Sequence, residues 1–159
     1  MGKFIVRTPG QTKETFDILG EQITVLVAGE ESGSYEAFVQ IVPPGAGPPL
    51  HSHPWDEAFY VLDGELHFST AEENLRAAAG TFVHFPAGAP HAFASHRGIA
   101  TILSLTSRRG ATAFFRESNR VNAEFPGDFE KLFAVGARHG VRLHESPEQF
   151  GRPERQAST

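Results

Sequence analysis

Cysteine is absent from this 159-residue chain. Disulfides, thiolate metal ligands and cysteine nucleophiles are therefore excluded. Basic residues are in deficit, with 14 Lys and Arg against 19 Asp and Glu and a formal charge of -5. A nucleic-acid-binding protein usually shows the opposite balance or a basic stripe. No apolar run approaches the roughly 18 residues that a membrane span needs. The opening Met1-Gly2-Lys3-Phe4-Ile5-Val6-Arg7 has no long apolar stretch and no small-residue cleavage site, so a soluble, cytoplasmic protein without a secretory signal is expected. Polar aromatics are scarce: two Tyr and one Trp stand beside 14 Phe, which supply apolar bulk without a polar handle. What remains, 40% hydrophobic and 21% charged residues, is enough for one folded domain.

Long repeats are also missing, and the chain divides by pattern. Ile23 to Val27 is rich in β-branched residues and bounded by Gly20 and Gly29, which predicts a strand. Tyr35 to Val42 predicts another, halted by the run from Pro43 to Pro49. Ala58 to Leu62 and Glu65 to Phe68 flank Asp63-Gly64, the signature of a hairpin with a type I′ turn. Phe82 to Phe85 and Ile99 to Leu105 complete the strand candidates. Short strands with Gly and Pro between them indicate an antiparallel sandwich or barrel. Near the C-terminus Phe129, Leu132, Phe133 and Gly136 form a helical stripe. Asp128 is placed to cap its start and Gly140 to end it, giving a helix over 127–139. Residues 151–159 are polar and read as a frayed tail.

The chemistry concentrates in Leu50-His51-Ser52-His53-Pro54-Trp55-Asp56-Glu57. On a strand His51 and His53 share a face about 7 Å apart and can converge on one ion. Glu57 has the same parity, yet an unbroken strand would carry it about 20 Å from His51. It can join the pair only if the chain bends at Pro54-Trp55-Asp56. The expectation is that His51 and His53 end one strand and Glu57 begins its antiparallel neighbour. His91, after the turn through Pro86-Ala87-Gly88, is the fourth candidate. Three imidazoles and a carboxylate would suit Fe, Mn, Ni, Co, Cu or Zn.

These residues carry a resemblance to a family. Gly45-x5-His51-x-His53-x3-Glu57-x6-Gly64 resembles the first cupin motif, and Gly80-x5-Pro86-x-Gly88-x2-His91 the second. Ser95 stands where the second motif usually has Asn. The phrases Val42 to Pro49 and Asp56 to Gly64 are similar to small single-domain cupins grouped with quercetin 2,3-dioxygenase-like proteins. The resemblance implies an all-β fold, a double-stranded β-helix or jelly roll over about 20–110 within a single domain of 1–150. It also implies that His51, His53, Glu57 and His91 hold one divalent metal ion inside the barrel.

The remaining histidines are expected elsewhere: His67 facing out, His84 packed or on the surface, and His96, His139 and His144 on the surface. Trp55 is expected to pack at the rim of the site, with a lid as the alternative. Phe38, Phe59, Phe82, Phe93 and Phe114 are assigned to or near strands, most of them in the core. The segments beside the ligands carry almost no Lys or Arg, so the cavity should be apolar and fit an aromatic or hydrophobic small molecule. The leading functional expectation is a metal-dependent dioxygenase, with Glu57 able to act as a base. A non-oxidative isomerase or lyase is the second, and a non-catalytic ligand-binding cupin the third. A homodimer is expected, because exposed sheet edges need cover.

Overall fold

A computed structural model describes residues 4–107, 110–121 and 129–144. In chain order the elements are β1 (Thr15–Ile18), β2 (Glu21–Val27), α1 (Gly29–Ser32), β3 (Tyr35–Val42), β4 (His51–Ser52), β5 (Glu57–Asp63), β6 (Glu65–Ser69), β7 (Asn74–Ala78), β8 (Phe82–Phe85), β9 (Ala92–Ala94), β10 (Ala100–Ser107), α2 (Ala111–Arg120), α3 (Phe129–Arg138) and β11 (Arg142–Leu143). The strands form a six-stranded sheet in the order β1-β2-β3-β10-β5-β8, a three-stranded sheet β7-β6-β9 and a pair β11-β4. Every pairing between these strands is antiparallel. His51 and His91 exchange both backbone hydrogen bonds, at 3.0 and 2.8 Å. That bridge joins β4 to the chain entering β9, so the two smaller sheets together face the larger one.

Alternation fills the space between the layers. Along β5, Glu57, Phe59 and Val61 are buried, and along β10, Ala100, Ile102, Ser104 and Thr106 are. Phe59, Leu66, Phe68, Phe85 and Phe93 meet in one apolar cluster. Burying each such side chain is worth roughly 1.5–3 kcal/mol. A second cluster, with Phe16, Ile23, Val25, Phe38, Trp55 and Leu132, lies where the helices cover the sheet. The outer face of the large sheet stays open. Leu103 pairs with both Val39 and Tyr60, and Tyr60 pairs with Phe82, which makes an apolar row ending at an exposed Phe82.

Several expectations need correction. β5 and β6 are not a hairpin, because Asp63-Gly64 carries the chain from one sheet to the other. Gly64 has φ 75°, and a Cβ there would lie 2.5 Å from the Ile99 carbonyl oxygen. The glycine serves this tight crossing. Phe82 is exposed rather than core, since its parity on β8 is opposite to that of Val83 and Phe85. Phe114 lies on a helix, α2, that the strand pattern does not show. The C-terminal helix is present as α3, while Asp128 falls outside the described residues.

α2 begins on a buried carboxylate. Glu36 accepts hydrogen bonds from the backbone N–H groups of Gly29 (3.1 Å), Ala111 (2.8 Å) and Thr112 (3.2 Å), and from the Thr106 hydroxyl (3.3 Å). First-turn N–H groups of a helix have no intrahelical partner, and a negative group there also meets the positive end of the helix dipole. Arg138 and His139 both reach Glu117, tying α3 to α2. His139 is accordingly half-buried against Phe114, not a simple surface residue.

Candidate metal centre

His51 begins the two-residue β4, His53 follows it, and Glu57 opens β5. The bend between them is held by Asp56. Its carboxylate accepts from the Ala87 N–H and the Ser107 hydroxyl, both at 2.9 Å, and its own N–H donates to Ser107 Oγ. The predicted bend is therefore present. The predicted pairing is not: β5 pairs with β10 and β8, and β4 pairs with β11. Pro54 to Asp56 cross between layers, and this lets side chains of two sheets face one point.

At that point the four sequence-predicted residues converge. One potential ligand atom from each of His51, His53, Glu57 and His91 lies within 4.8 Å of the other three. Each imidazole is oriented by a backbone carbonyl two residues away. Nδ1–H of His51 donates to Pro49 (2.8 Å), that of His53 to Trp55 (2.9 Å) and that of His91 to Ala89 (2.9 Å). Such contacts fix the tautomer and leave the Nε2 lone pair free for a metal. Two of those nitrogens, on His53 and His91, sit 2.8 and 3.2 Å from Glu57 Oε2. With Nδ1 protonated, these are contacts between lone-pair atoms, which a cation at the centre turns from repulsion into attraction. The donor set thus fits a divalent transition metal.

Electrostatics agree with that fit. Burial pushes the His51 imidazole down to about 3, helped by His91 and His53 beside it, so it is neutral at ordinary pH. Burial alone would raise Glu57, and the His53 and His91 imidazoles lower it when they carry a second proton on Nε2. A neutral imidazole and an ionised carboxylate are the forms that bind metal. His53 is stacked on Trp55 at 4.5 Å between ring centroids, and His91 on Phe85 at 4.5 Å. Trp55 is buried, so it is neither rim nor lid but part of the wall. A Cβ on Gly110 would lie 2.7 Å from its ring, so glycine is needed for α2 to approach.

His51, His53 and Glu57 open onto a cavity between the sheets and the helices. Its wall is mainly apolar, with Trp55, Phe93, Phe114, Phe115, Leu132 and Phe133, and no Lys or Arg among the described residues. The apolar cavity expected from the sequence is present. Two polar wall residues were not anticipated, Glu21 and Gln40. The alternation Glu21, Ile23, Val25, Val27 carries the signal for Glu21, since it puts the carboxyl on the buried face of β2. His84 and His96 are exposed, and His67 lies against the edge of His96. His144 is exposed and bonds Ser52 at 2.8 Å, fastening β11 to β4. Ser95, in place of the motif's Asn, is buried and donates to the Gly98 carbonyl at 2.6 Å, closing a turn.

The two facing sheets with this donor set between them form a jelly roll, and residues 38–105 match the family model described as Cupin domain. Over 62 residues the chain is 37% identical to dimethylsulfoniopropionate lyase DddQ of Ruegeria pomeroyi, across 38% of this chain and 31% of that one. It thus spans about a third of the length of the curated relative it matches. The crystal structure of that lyase aligns with a TM-score of 0.52 and 25% identity, covering 67% of this chain and 56% of its own. The polyketide cyclase RemF of Streptomyces resistomycificus aligns with a TM-score of 0.57 and 18% identity, over 67% of this chain and 80% of its own. KdgF of Halomonas sp. gives 0.56 and 20%, over 63% and 92%. The last two likenesses speak for the fold alone. The relatives named here do not single out quercetin dioxygenase-like proteins. No helix among the described residues is long and apolar enough to cross a membrane.

Proposed function

We propose that the protein is a metal-dependent cupin enzyme of the lyase or isomerase type, acting by proton transfer on a small, largely apolar molecule. The observation that carries this reading is the convergence of His51, His53, Glu57 and His91, the first three of them in the wall of an aromatic cavity. In this reading the four residues hold one divalent ion, which when bound would polarise a substrate oxygen as a Lewis acid. The three carbonyl-anchored imidazoles keep their Nε2 atoms aimed at one point. Glu57 has the second role of taking a proton from the substrate. Trp55, Phe93, Phe114 and Phe115 exclude water and clasp the apolar body, so that the carboxylate acts in a site of low polarity. Likeness to a lyase favours this class over the dioxygenase expected from the sequence. The aromatic wall still suits an aromatic oxygenase substrate, and that remains the second reading.

One experiment separates the two. Protein loaded in turn with Fe, Mn, Co, Ni and Zn is offered 1,3-diketones, flavonols, hydroxylated aromatics and dimethylsulfoniopropionate, with and without O₂. The proposal expects turnover that persists without O₂ and falls at least about 100-fold in metal-reloaded Glu57→Gln, the low end of a general base's contribution. Stoichiometric O₂ uptake would transfer the assignment to the dioxygenase. A metal-loaded protein that retains a ligand and converts none would leave a binding protein.

A further inference from the structure

Among the described residues two buried carboxyls lie beyond the metal cluster, and the fold treats them in opposite ways. Glu36 is surrounded by three backbone N–H groups and a hydroxyl. Glu21 is 4% exposed and has an oxygen, Oε2, with no hydrogen-bond partner. Burying a carboxyl without partners is costly, and the more so when it is ionised. No Lys or Arg among the described residues lines the cavity to neutralise it. A leucine at this position would continue the apolar inner face formed by Ile23, Val25 and Val27. The fold itself therefore makes no use of the carboxyl. What Glu21 does face is the cavity, whose wall it shares with Gln40, His51, His53 and Glu57.

We propose that Glu21 is a ligand-contacting residue whose carboxyl donates a hydrogen bond to a carbonyl or enol oxygen of the molecule bound beside the metal cluster. Burial pushes its proton affinity well above the ordinary carboxyl range. A protonated carboxyl is a donor as well as an acceptor. Gln40 commits one of its two amide N–H donors to Ser104 Oγ at 2.9 Å. The inference deepens the enzyme reading and rests on it for the metal beside the ligand. It names the substrate class as a carbonyl compound. A donor aimed at an enolic oxygen also favours proton removal next to a carbonyl, where negative charge develops on that oxygen.

The test uses the full chain loaded with Co(II) and two probes of similar bulk, 1-phenylbutane-1,3-dione and the benzyltrimethylammonium cation. Wild type, Glu21→Gln and Glu21→Leu are titrated with each, and metal content and melting temperature are measured alongside. The diketone should bind Glu21→Gln within about threefold of wild type, because the amide keeps an N–H donor. It should bind Glu21→Leu about tenfold more weakly, the upper end of one net hydrogen bond. Glu21→Leu should melt no lower than wild type, since an unpaired buried group has been removed. Equal diketone affinity in wild type and Glu21→Leu overturns the proposal, as does a wild type that does not bind the diketone. A Glu21→Leu variant that melts lower and binds more weakly makes Glu21 structural and also overturns it. If only the cation binds tightly and both variants lose it, Glu21 acts as an anion and the donor role is wrong. Failure of the metal reading is separate: a wild type holding no Co(II) refutes that reading, and the three proteins are then compared metal-free by the same criteria.

Discussion

Glu36→Ala should cost more than any surface substitution in the protein, and the structure says how much. The change leaves the N–H groups of Gly29, Ala111 and Thr112 and the Thr106 hydroxyl without their acceptor. Each buried donor left unpaired costs about 1–3 kcal/mol. The Thr106 hydroxyl can turn to another acceptor and water can enter the space left by the side chain, so the sum is not fully realised. A loss of about 3–5 kcal/mol is expected, the range for removing one member of a buried charged network. For a domain of this size that lowers the melting temperature by roughly 6–20 °C. Glu36→Gln keeps one acceptor oxygen but turns an NH₂ toward N–H groups, and should lose an intermediate amount. Urea denaturation followed by circular dichroism gives the free energy, and an unchanged slope confirms that only stability has moved. The consequence reaches the site, because α2 carries Phe114 and Phe115 of the cavity wall. Ligand affinity should fall with stability while metal content stays the same. A loss below about 1 kcal/mol would refute the view that this carboxylate seats α2.

Three further outcomes are expected. Chelator-treated protein should lose stability as pH falls from about 6.5 toward 3: His51, depressed to about 3 in the fold, takes up its proton in the unfolded chain first. Glu57 adds to the same trend below its ordinary value, its contribution being lost as pH falls toward about 2. Melting curves of the metal-free protein read this, and His51→Phe should flatten the upper part of the window. Gly110→Ala should drive a methyl into the Trp55 ring at about 1–3 kcal/mol, and the fluorescence of this single Trp should report its displacement from His53. The homodimer expected from the sequence would use the open row of Leu103, Tyr60 and Phe82, so Phe82→Glu should reduce the sedimenting mass by half; an unchanged mass removes that face as the interface.

The sequence was most legible where a rule is local. The apolar runs Tyr35 to Val42, stopped by Pro43-Pro44, and Phe82 to Phe85, stopped by Pro86, mark β3 and β8 with their observed bounds. The separation of His51 from Glu57 demanded a bend, and the bend lies at Pro54 to Asp56. Reading failed where the decisive partner is distant. The Asp63-Gly64 turn signal says that the chain reverses, not which sheet receives the next strand; that is decided by the close approach of Ile99. α2 shows an apolar spacing at Ala111, Phe114 and Phe115, yet its capping carboxylate, Glu36, lies 75 residues away from Ala111. The tautomers of the three histidines depend on the carbonyls of Pro49, Trp55 and Ala89, which only the folded turns bring into place. Glu21 escaped because the strand was begun at Ile23, two residues inside β2.

The central claim is that His51, His53, Glu57 and His91 hold one metal ion. Elemental analysis of wild type, His53→Ala and His91→Ala, purified without added metal and again after exposure to Mn, Fe, Co, Ni, Cu and Zn, tests it most directly. The account predicts about one equivalent of metal in the wild type and loss of most of it in both variants, with folded circular dichroism spectra throughout. Full occupancy in both variants, or none in the wild type with any of the six ions, would contradict it.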